Sequence, residues 1–234
     1  MHGGVKAALS IVMPVLDEAA GIVDALMPLQ AWRAQGIEVV VVDGGSKDGT
    51  AALAAPLADR VIASARGRAV QMNAGARVAN GNTLLFLHAD TRLPAHAPAL
   101  VASALAAGRV WGRFDVRIDG RSPWLRPTAW LMNRRSCLTG IATGDQCIFV
   151  RRDAFDAVGG YPPIPLMEDI ALSRLLKARS RPACIASRAV TSGRRWEKHG
   201  VWRTVFLMWR LRLRYFFGAD PRALAIEYGY APGD

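Results

Sequence analysis

The stretch IEVVVVDGGSKDGT, residues 37–50, decides the fold class of this chain. Its unbroken run of four valines predicts a strand that is covered on both faces, as in a parallel sheet with helices on either side. Asp43 follows at the carboxyl end of this strand. The Gly-rich turn after it predicts the start of a helix, with Ser46 as the expected N-cap. The stretch therefore indicates one strand–turn–helix unit of an α/β protein.

Strands and helices alternate on both sides of this unit. Short apolar runs predict further strands, and residues 20–36 and 67–80 have the apolar spacing of helices. The short connections favour a Rossmann-like, mostly parallel sheet with helices on both faces, in which ligands bind outside the carboxyl ends of the strands. The additional strands are predicted at LSIVMPVL, RVIASA and TLLFLHA.

Three acids follow predicted strands. Asp17, Asp43 and Asp90 each lie at a carboxyl end and would gather at one edge of the sheet. Asp17 and Asp43 could equally cap helices, whereas Pro94 leaves little room for a helix directly after Asp90. Carboxylates suit Mg²⁺ or Mn²⁺, which keep several waters while they bridge to phosphates. Asp90 is therefore the natural candidate for a metal ligand.

The pattern changes after residue 108. Residues 109–119 alternate between apolar and polar, which favours a strand of antiparallel character, and residues 122–136 are helical or irregular. Residues 139–155 predict a loop, a strand and a helix start. Residues 166–180 predict an amphipathic helix, and two acids in its first turn, those of the MEDI sequence, either suit the helix dipole or do chemistry.

The composition limits which architectures and which classes of binding partner are expected. The 234 residues are 51% hydrophobic and 21% charged, which supports a large core and argues against global disorder. The net charge of +11 lies wholly in residues 101–234. It indicates an anionic ligand or a membrane surface, unless it reflects codon bias, since most of the basic residues are arginine. No zinc-ligand spacing or RNA-binding signature occurs, so nucleic acid is not expected.

The chain has no linker rich in Pro, Gly or Ser that would divide it. We expect a single domain over residues 1–234, with a first part at 1–108, a second at 109–200 and a C-terminal helical tail at 201–234. Three cysteines without a CxxC pair favour reduced thiols and a cytoplasmic location. The N-terminal apolar run is followed at once by two acids, so a signal peptide is not expected.

The tail has a mixed apolar and basic pattern over residues 201–217. At helical spacing Arg203, Arg210 and Arg214 share one face, and Arg212 lies opposite. The pattern fits a helix in the membrane interface, at the inner face of the membrane. It equally fits a helix packed over the rest of the domain, or a homodimer contact. No apolar segment is long enough to predict a transmembrane helix.

Two common phosphate-binding loops are missing from the sequence. No GxGxxG follows the first strand, and no GxxxxGKS/T occurs. A nucleotide site in this chain would therefore have to use carboxylates and a divalent cation, because carboxylates repel a diphosphate unless a cation lies between them.

Six motifs follow one another along the chain: SIVMPVLDEAAGI, VVVVDGGSKDGT, GRAVQMNAGA, LFLHAD, the stretch FVRRDAFDAVGGYPPIPLMEDIALSRLL, and SGRRW. In this order they resemble the motifs of family 2 glycosyltransferases with the GT-A fold. Within that family the chain resembles a bacterial group associated with radical-SAM and selenium-domain proteins and linked to arsenosugar biosynthesis. The resemblance covers nearly the whole chain, and it implies a small antiparallel acceptor-side element.

The resemblance implies a metal-dependent, inverting transfer of a sugar from a nucleotide-sugar donor, a UDP- or GDP-sugar, to the hydroxyl of a small or lipid-linked acceptor. It implies Asp169 as the catalytic base, with Glu168 beside it near the acceptor. Residues 1–108 would bind the donor, and Mn²⁺ or Mg²⁺ would be the cofactor. The other implied residues are Pro14, Glu18, Asp43 and Arg68 for the nucleotide; Asp90, His88 and His199 for the metal; and Gly144, Asp145, Arg195 and Trp196 for the sugar or acceptor.

Two departures from the family pattern keep other interpretations open. His88 stands where the metal motif has its first Asp, and Ser192 stands where the QxxRW motif has Gln. The second departure argues against a processive polymerase. One alternative is a nucleotidyltransferase, although the loop PVLDEAAG is acidic and not Gly-rich. The other is a non-catalytic module that binds a nucleotide-sugar or a membrane.

Overall fold

The structure is a computed structural model that describes residues 8–230. The first residues of the apolar N-terminal run and both ends of the predicted 1–234 domain lie outside the described part. An eight-stranded mixed sheet forms the centre, in the order β3-β2-β1-β4-β7-β6-β8-β5. The strands are β1 (Leu9–Val15), β2 (Glu38–Asp43), β3 (Arg60–Ala63), β4 (Thr83–Phe86), β5 (Thr91–Arg92), β6 (Trp111–Asp119), β7 (Phe149–Arg151) and β8 (Ala183–Ser192).

Helices cover both faces of the sheet. They are α1 (Ile22–Leu26), α2 (Gln30–Arg33), α3 (Thr50–Ala54), α4 (Arg68–Val78), α5 (Ala97–Ala106), α6 (Leu125–Thr139), α7 (Arg152–Ala157), α8 (Glu168–Lys177), α9 (Arg194–His199), α10 (Val201–Phe216) and α11 (Pro221–Tyr228). The predicted α/β architecture, with a mostly parallel sheet and C-terminal helices, is confirmed.

The first four strands are all parallel, with β1 between β2 and β4 and with β3 next to β2. Strand β7 is antiparallel to both β4 and β6. The prediction that residues 109–119 form an antiparallel strand holds only for the contact with β7, because β6 runs parallel to β8 from Gly112 to Asp119. Alternation reveals that one face of a strand is buried, and it carries no information about the direction of the neighbour.

Two local predictions are corrected. The helix expected over residues 20–36 is broken into α1, a 3₁₀ turn at Met27–Leu29 and α2, because Pro28 has no N–H to donate within a helix. Ser46 does not cap the next helix. Helix α3 begins at Thr50 after Gly49, which has a φ of 88°, a left-handed conformation that favours glycine.

The core divides into two layers, one on each face of the sheet. Ile11, Met13 and Val15 of β1 face a cluster that contains α1 and α5, whereas Val12 faces a cluster with α4 and α8. This division follows from the two-residue period of a strand. Helix α4 packs very closely, because a Cβ at Gly75 would collide with the side chain of Val12.

The C-terminal helices pack over the domain. Leu211 of α10 and Leu224 of α11 are fully buried against Leu166 and Ile170, which flank the start of α8. The packed arrangement of the tail is therefore present in this structure. The outer face of α10 remains exposed and apolar at Phe206, Trp209, Leu213 and Phe216. Within residues 8–230, no helix has the length and apolar character needed to cross a membrane.

Candidate active site

Two cavities lie at the carboxyl ends of β1 and β4. The small cavity has a volume of about 280 Å³ and is lined by the end of β1, the start of α4 and Tyr230. The large cavity has a volume of about 680 Å³ and lies between α6, the start of α8 and α10. Four side chains line both cavities and form the wall they share: Arg68, His88, Asp90 and Asp145.

The small cavity is bounded by Pro14 and Glu18 on the β1 side and by Arg68 at the first turn of α4. The amide of Gln71 donates to the main-chain oxygens of Val15 and Val42, both at 2.8 Å. This buried side chain fixes the ends of β1 and β2 relative to α4. The floor of the cavity is therefore set by main-chain hydrogen bonds as well as by packing.

Glu18 is repelled by other acids at this edge of the sheet. Burial raises the pKa of the Glu18 carboxyl, and the negative charge of Asp90 raises it further. A positive charge between these two groups would relieve that repulsion.

The structure does not bring Asp17 and Asp43 into either cavity. Asp43 accepts hydrogen bonds from the N–H groups of Gly45 and Ser46 and from the Ser46 hydroxyl. Asp17 accepts from the Lys47 N–H at 2.8 Å. Of the three acids that follow strands, only Asp90 faces the cavities. The other two join the loops after β1 and β2, and thereby hold the rim of the small cavity.

His88 and Asp145 form a pair in the shared wall, with 3.6 Å between Nδ1 of the ring and Oδ1 of the carboxylate. Burial acts to raise the pKa of the Asp145 carboxyl, but His88 and Arg68 outweigh it and leave the pKa below its ordinary value. The pair therefore keeps Asp145 ionised at neutral pH. His199, in contrast, is exposed at the end of α9 and lines neither cavity.

The donor groups of the shared wall fit a divalent cation bound mainly through its bridge to phosphates. Among residues 8–230, no three His, Cys, Asp or Glu side chains form a ready-made metal cluster. Asp90 nevertheless supplies hard oxygen ligands beside Glu18, and Mg²⁺ or Mn²⁺ needs only one or two protein carboxylates when it retains water. The carboxylate of Asp90 is therefore the first choice, and His88, whose Nδ1 lies beside Asp145, ranks second.

The two acids at the start of α8 both line the large cavity. Asp169 accepts a hydrogen bond from the Gly144 N–H at 2.9 Å. Glu168 is only 5% exposed. Burial and the neighbouring charge of Asp169 raise its pKa to about 7. The residue before them, Met167, has a φ of 69°, a left-handed conformation that costs energy without glycine. This conformation sets the direction in which the helix enters the cavity.

Gly144 lies next to both Asp169 and His88. Its N–H donates to the Asp169 carboxylate, and a Cβ at this position would lie 2.7 Å from Nε2 of His88 and closer still to Cε1. Only glycine allows this approach without displacing the ring. The loop from Gly144 to Gln146 therefore spaces the shared wall from the start of α8.

Arg195 and Trp196 line the other side of the large cavity, next to Ser192. The Arg195 guanidinium lies 3.7 Å from the centre of the Tyr228 ring and donates to the Tyr228 main-chain oxygen at 3.1 Å. Trp196 packs against the apolar cluster that contains Val116 and Ile118. The structure thus places six of the residues implied by the family resemblance around one cavity: Glu168, Asp169, Gly144, Asp145, Arg195 and Trp196.

Sequence reasoning missed two arginines of this cavity. Arg135 of α6 and Arg212 of α10 both line it. Neither belongs to a motif, and arginine is frequent throughout the second half of the chain. One sequence pattern could have identified Arg212, because at helical spacing it lies on the face opposite Arg210 and Arg214. Those two pair with Glu227 on the outside of the tail.

A family model described as glycosyl transferase family 2 matches residues 10–159. No curated protein matches the sequence significantly. Similar folds occur among solved structures. The mannosyltransferase PcManGT from Pyrobaculum calidifontis, in complex with GDP-Man and Mn²⁺, is 22% identical with a TM-score of 0.67, and the match covers 98% of this chain and 67% of that one.

Two further structures have the same fold. TarS from S. aureus, in a complex with UDP-GlcNAc, is 15% identical with a TM-score of 0.61, and the match covers 79% of this chain and 58% of that one. Glucosyl-3-phosphoglycerate synthase from Mycobacterium tuberculosis, in complex with Mg²⁺ and UDP, is 21% identical with a TM-score of 0.57, covering 77% of this chain and 69% of that one. At these identities the likeness establishes the fold, which is the predicted GT-A type.

Proposed function

The chain belongs to glycosyl transferase family 2, and on this premise we propose that it moves a sugar from a UDP- or GDP-sugar to an acceptor hydroxyl with inversion at the anomeric carbon. The observation that carries the proposal is the wall shared by two cavities, formed by Arg68, His88, Asp90 and Asp145. Transfer needs a donor on one side and an acceptor on the other, with the reacting carbon at the boundary.

The small cavity is the proposed donor site. The nucleotide would lie along Pro14 and Glu18, and Arg68 would face the diphosphate, where its positive charge opposes the negative charge that grows as the sugar leaves. Asp43 would act through the rim loop that it holds. The complexes of PcManGT with GDP-Man and of TarS with UDP-GlcNAc support a nucleotide-sugar as the donor.

Asp90, with His88 as the candidate second ligand, would hold Mn²⁺ or Mg²⁺, which would offset the charge of the diphosphate leaving group. The Mn²⁺ and Mg²⁺ in two of the similar structures support this assignment. His199 lies outside both cavities, so we assign it no ligand role.

Asp169 is the proposed base. An acceptor hydroxyl is a weak nucleophile at neutral pH and needs a base in the transition state. Its oxygen would bond to the anomeric carbon while the bond from that carbon to the phosphate oxygen breaks. The electron pair leaves with the nucleoside diphosphate, and the acceptor proton passes to Asp169. The Gly144 N–H at 2.9 Å orients the carboxylate for this transfer. Attack from the large cavity, opposite the diphosphate, gives inversion.

The large cavity is the proposed acceptor site. Asp145 would accept a hydrogen bond from a sugar hydroxyl beside Gly144. Trp196 would offer an apolar ring face to a sugar. Arg195 can reach an anionic group from the same wall. Glu168 would lie next to the reacting hydroxyl, in a position to tune the charge of the base.

We also propose a subgroup, a division into three parts and a cellular location for this chain. The stretches FLHADTRLP and GIATGDQCIFVRR support the arsenosugar-associated group of bacterial members, and the three-part division at residues 108 and 200 follows the family pattern. A cytoplasmic enzyme that touches the inner face of the membrane through residues 201–217 is supported by the exposed aromatic face of α10.

The proposal is tested with a panel of UDP-, GDP- and dTDP-sugars in the presence of Mn²⁺. A glycosyltransferase releases nucleoside diphosphate, whereas a nucleotidyltransferase produces pyrophosphate from a nucleoside triphosphate, and a binding module releases neither.

Asp169→Asn should retain donor binding and lose transfer by about 10²–10⁴-fold. Asp153→Asn is the matched control, since this exposed acid pairs with Arg151 away from both cavities. Transfer at the wild-type rate by Asp169→Asn would refute the assignment of the base.

A further inference from the structure

Two arginines face the large cavity without an acceptor for their inner nitrogens. Nε and Nη2 of Arg135 and Nε of Arg212 are buried and have no hydrogen-bond partner in the described structure. A buried donor that is left unpaired costs about 1–3 kcal/mol, and a charged one costs more. Because both residues line the same cavity, this part of it is expected to have a ligand.

The two arginines repel each other within a site that also contains acids. Burial lowers the pKa of Arg135 to about 10, and Arg212 and Arg113 lower it as well, while Asp169 acts in the opposite direction. Burial also lowers the pKa of Arg212, and Asp169 and Asp145 oppose that effect. Both guanidinium groups remain charged at neutral pH. An anion in the cavity beside them would offset their mutual repulsion.

The large cavity also has an extensive apolar lining. Its walls include Met132 and Met208. Five large side chains that line it are also at least half exposed, so the apolar surface continues to the mouth of the cavity. They are Trp124 at 50%, Leu131 at 52%, Trp202 at 51%, Phe206 at 65% and Trp209 at 61% exposed.

The aromatic rings at the mouth come from two helices that are distant in sequence. The centres of the Trp124 and Trp202 rings are 5.0 Å apart, which joins the start of α6 to the start of α10. Arg135 and Arg212 lie further along the same two helices. A ligand that enters between the helices would therefore meet an apolar mouth first and then a cationic site beside Asp169.

We propose that the acceptor is an amphiphile, with a phosphate group bound by Arg135 and Arg212 and an apolar portion along the aromatic mouth of the large cavity. This inference rests on the proposed function, because it names the class of molecule that receives the sugar. A phosphate monoester carries about two negative charges and matches two guanidinium groups, which can each bind it through two N–H donors. The phosphate can belong to a membrane lipid or to a free molecule.

Binding of n-octyl phosphate, measured by calorimetry, tests the proposal directly. We expect it to bind at least tenfold more tightly than n-octanol, which lacks the charge, and than inorganic phosphate, which lacks the chain. Arg135→Met and Arg212→Met should each weaken octyl phosphate at least tenfold and leave octanol unchanged. Lysine at either position should restore part of the affinity. Equal binding of octyl phosphate and octanol, or wild-type affinity in both methionine variants, would overturn the proposal.

Matched controls come from the same helices. Arg134→Met on α6 and Arg203→Met on α10 remove exposed guanidinium groups that do not line the cavity, and they should stay within about twofold of the wild type, because no contact to the phosphate is lost. Circular dichroism identifies any variant that fails to fold, and the lysine variants then decide the result. A control that weakens octyl phosphate as much as Arg135→Met would contradict a specific site.

Vesicles separate the two sources of the phosphate. Sedimentation with phosphatidylcholine vesicles that contain phosphatidic acid should capture the wild type and release Arg135→Met if the acceptor is a lipid. Octyl phosphate binding without such capture indicates a free amphiphile, which equally supports the proposal. Donor binding is measured separately with UDP- and GDP-sugars. A wild-type protein that binds no donor would refute the proposed function. An Arg135→Met variant that still binds the donor but no longer binds octyl phosphate would support the acceptor site.

Discussion

Replacement of Glu168 by Gln should stabilise the protein relative to the wild type at alkaline pH, although it removes an acid from the candidate active site. The pKa of Glu168 is raised from an ordinary 4.5 to about 7 by burial and by Asp169. The native state therefore holds the proton where the unfolded chain has lost it, and the free energy of unfolding falls as pH rises from 4.5 to about 7. Each pKa unit corresponds to about 1.4 kcal/mol, so ionised Glu168 costs the native state about 3 kcal/mol above pH 7.

Glutamine has nearly the same shape and does not ionise, so Glu168→Gln should escape this loss. Urea unfolding of both proteins at pH 4.5 and pH 8 gives the measurement. The difference in stability between variant and wild type should move in favour of the variant by about 3 kcal/mol between these pH values. The quantity compared is the change in each protein's own free energy of unfolding between the two pH values, so any constant effect of the amide on packing cancels. Stability curves that stay parallel across this range would refute the raised pKa and with it the account of the buried acid.

Three further changes probe the shared wall and the core behind it. Asp90→Asn should lower transfer by about two orders of magnitude. It should also lower the pKa of Glu18, because Asp90 is one cause of its rise, and an NMR titration that leaves this pKa unchanged would contradict the proximity of the two acids. Gly144→Ala should displace the His88 ring. It should lower kcat by a larger factor than it changes the KM for the donor, and changes of equal size in both constants would argue against a positioning role. Arg152→Met removes three hydrogen bonds of 2.7–2.8 Å to main-chain oxygens in the last turn of α4 and just after it. It should destabilise the fold by about 3 kcal/mol in urea unfolding, and a loss below about 0.5 kcal/mol would show that solvent replaces these bonds.

The sequence predicted the first half of the fold well, because that half obeys local rules. Valine-rich runs become fully buried parallel strands, and the residues after them lie at one edge of the sheet. The acids of the MEDI sequence were placed correctly in the first turn of a helix. Their position in the cavity then follows from the way α8 is aimed by Met167, which no propensity predicts.

The sequence could not reveal what depends on distant contacts. The parallel pairing of β6 with β8 joins segments separated by about seventy residues. Ser46 looked like a helix cap because it follows a strand and a glycine pair, but its hydroxyl is used by Asp43 and Asp17. Arg135 and Arg212 are ordinary helical arginines until α6 and α10 come together around one cavity. Side-chain identity alone does not distinguish them from the many exposed arginines of the chain.

The position of Gly144 has a consequence for the timing of events in this cleft. Gly144 has no room for a side chain beside the ring of His88, and its N–H donates to the carboxylate of Asp169. Under the proposed mechanism, a shift of the His88 ring would therefore also move the main chain that orients the base. The base would then be aligned only while the wall beside the donor keeps its place, which would disfavour hydrolysis of the donor when no acceptor is bound.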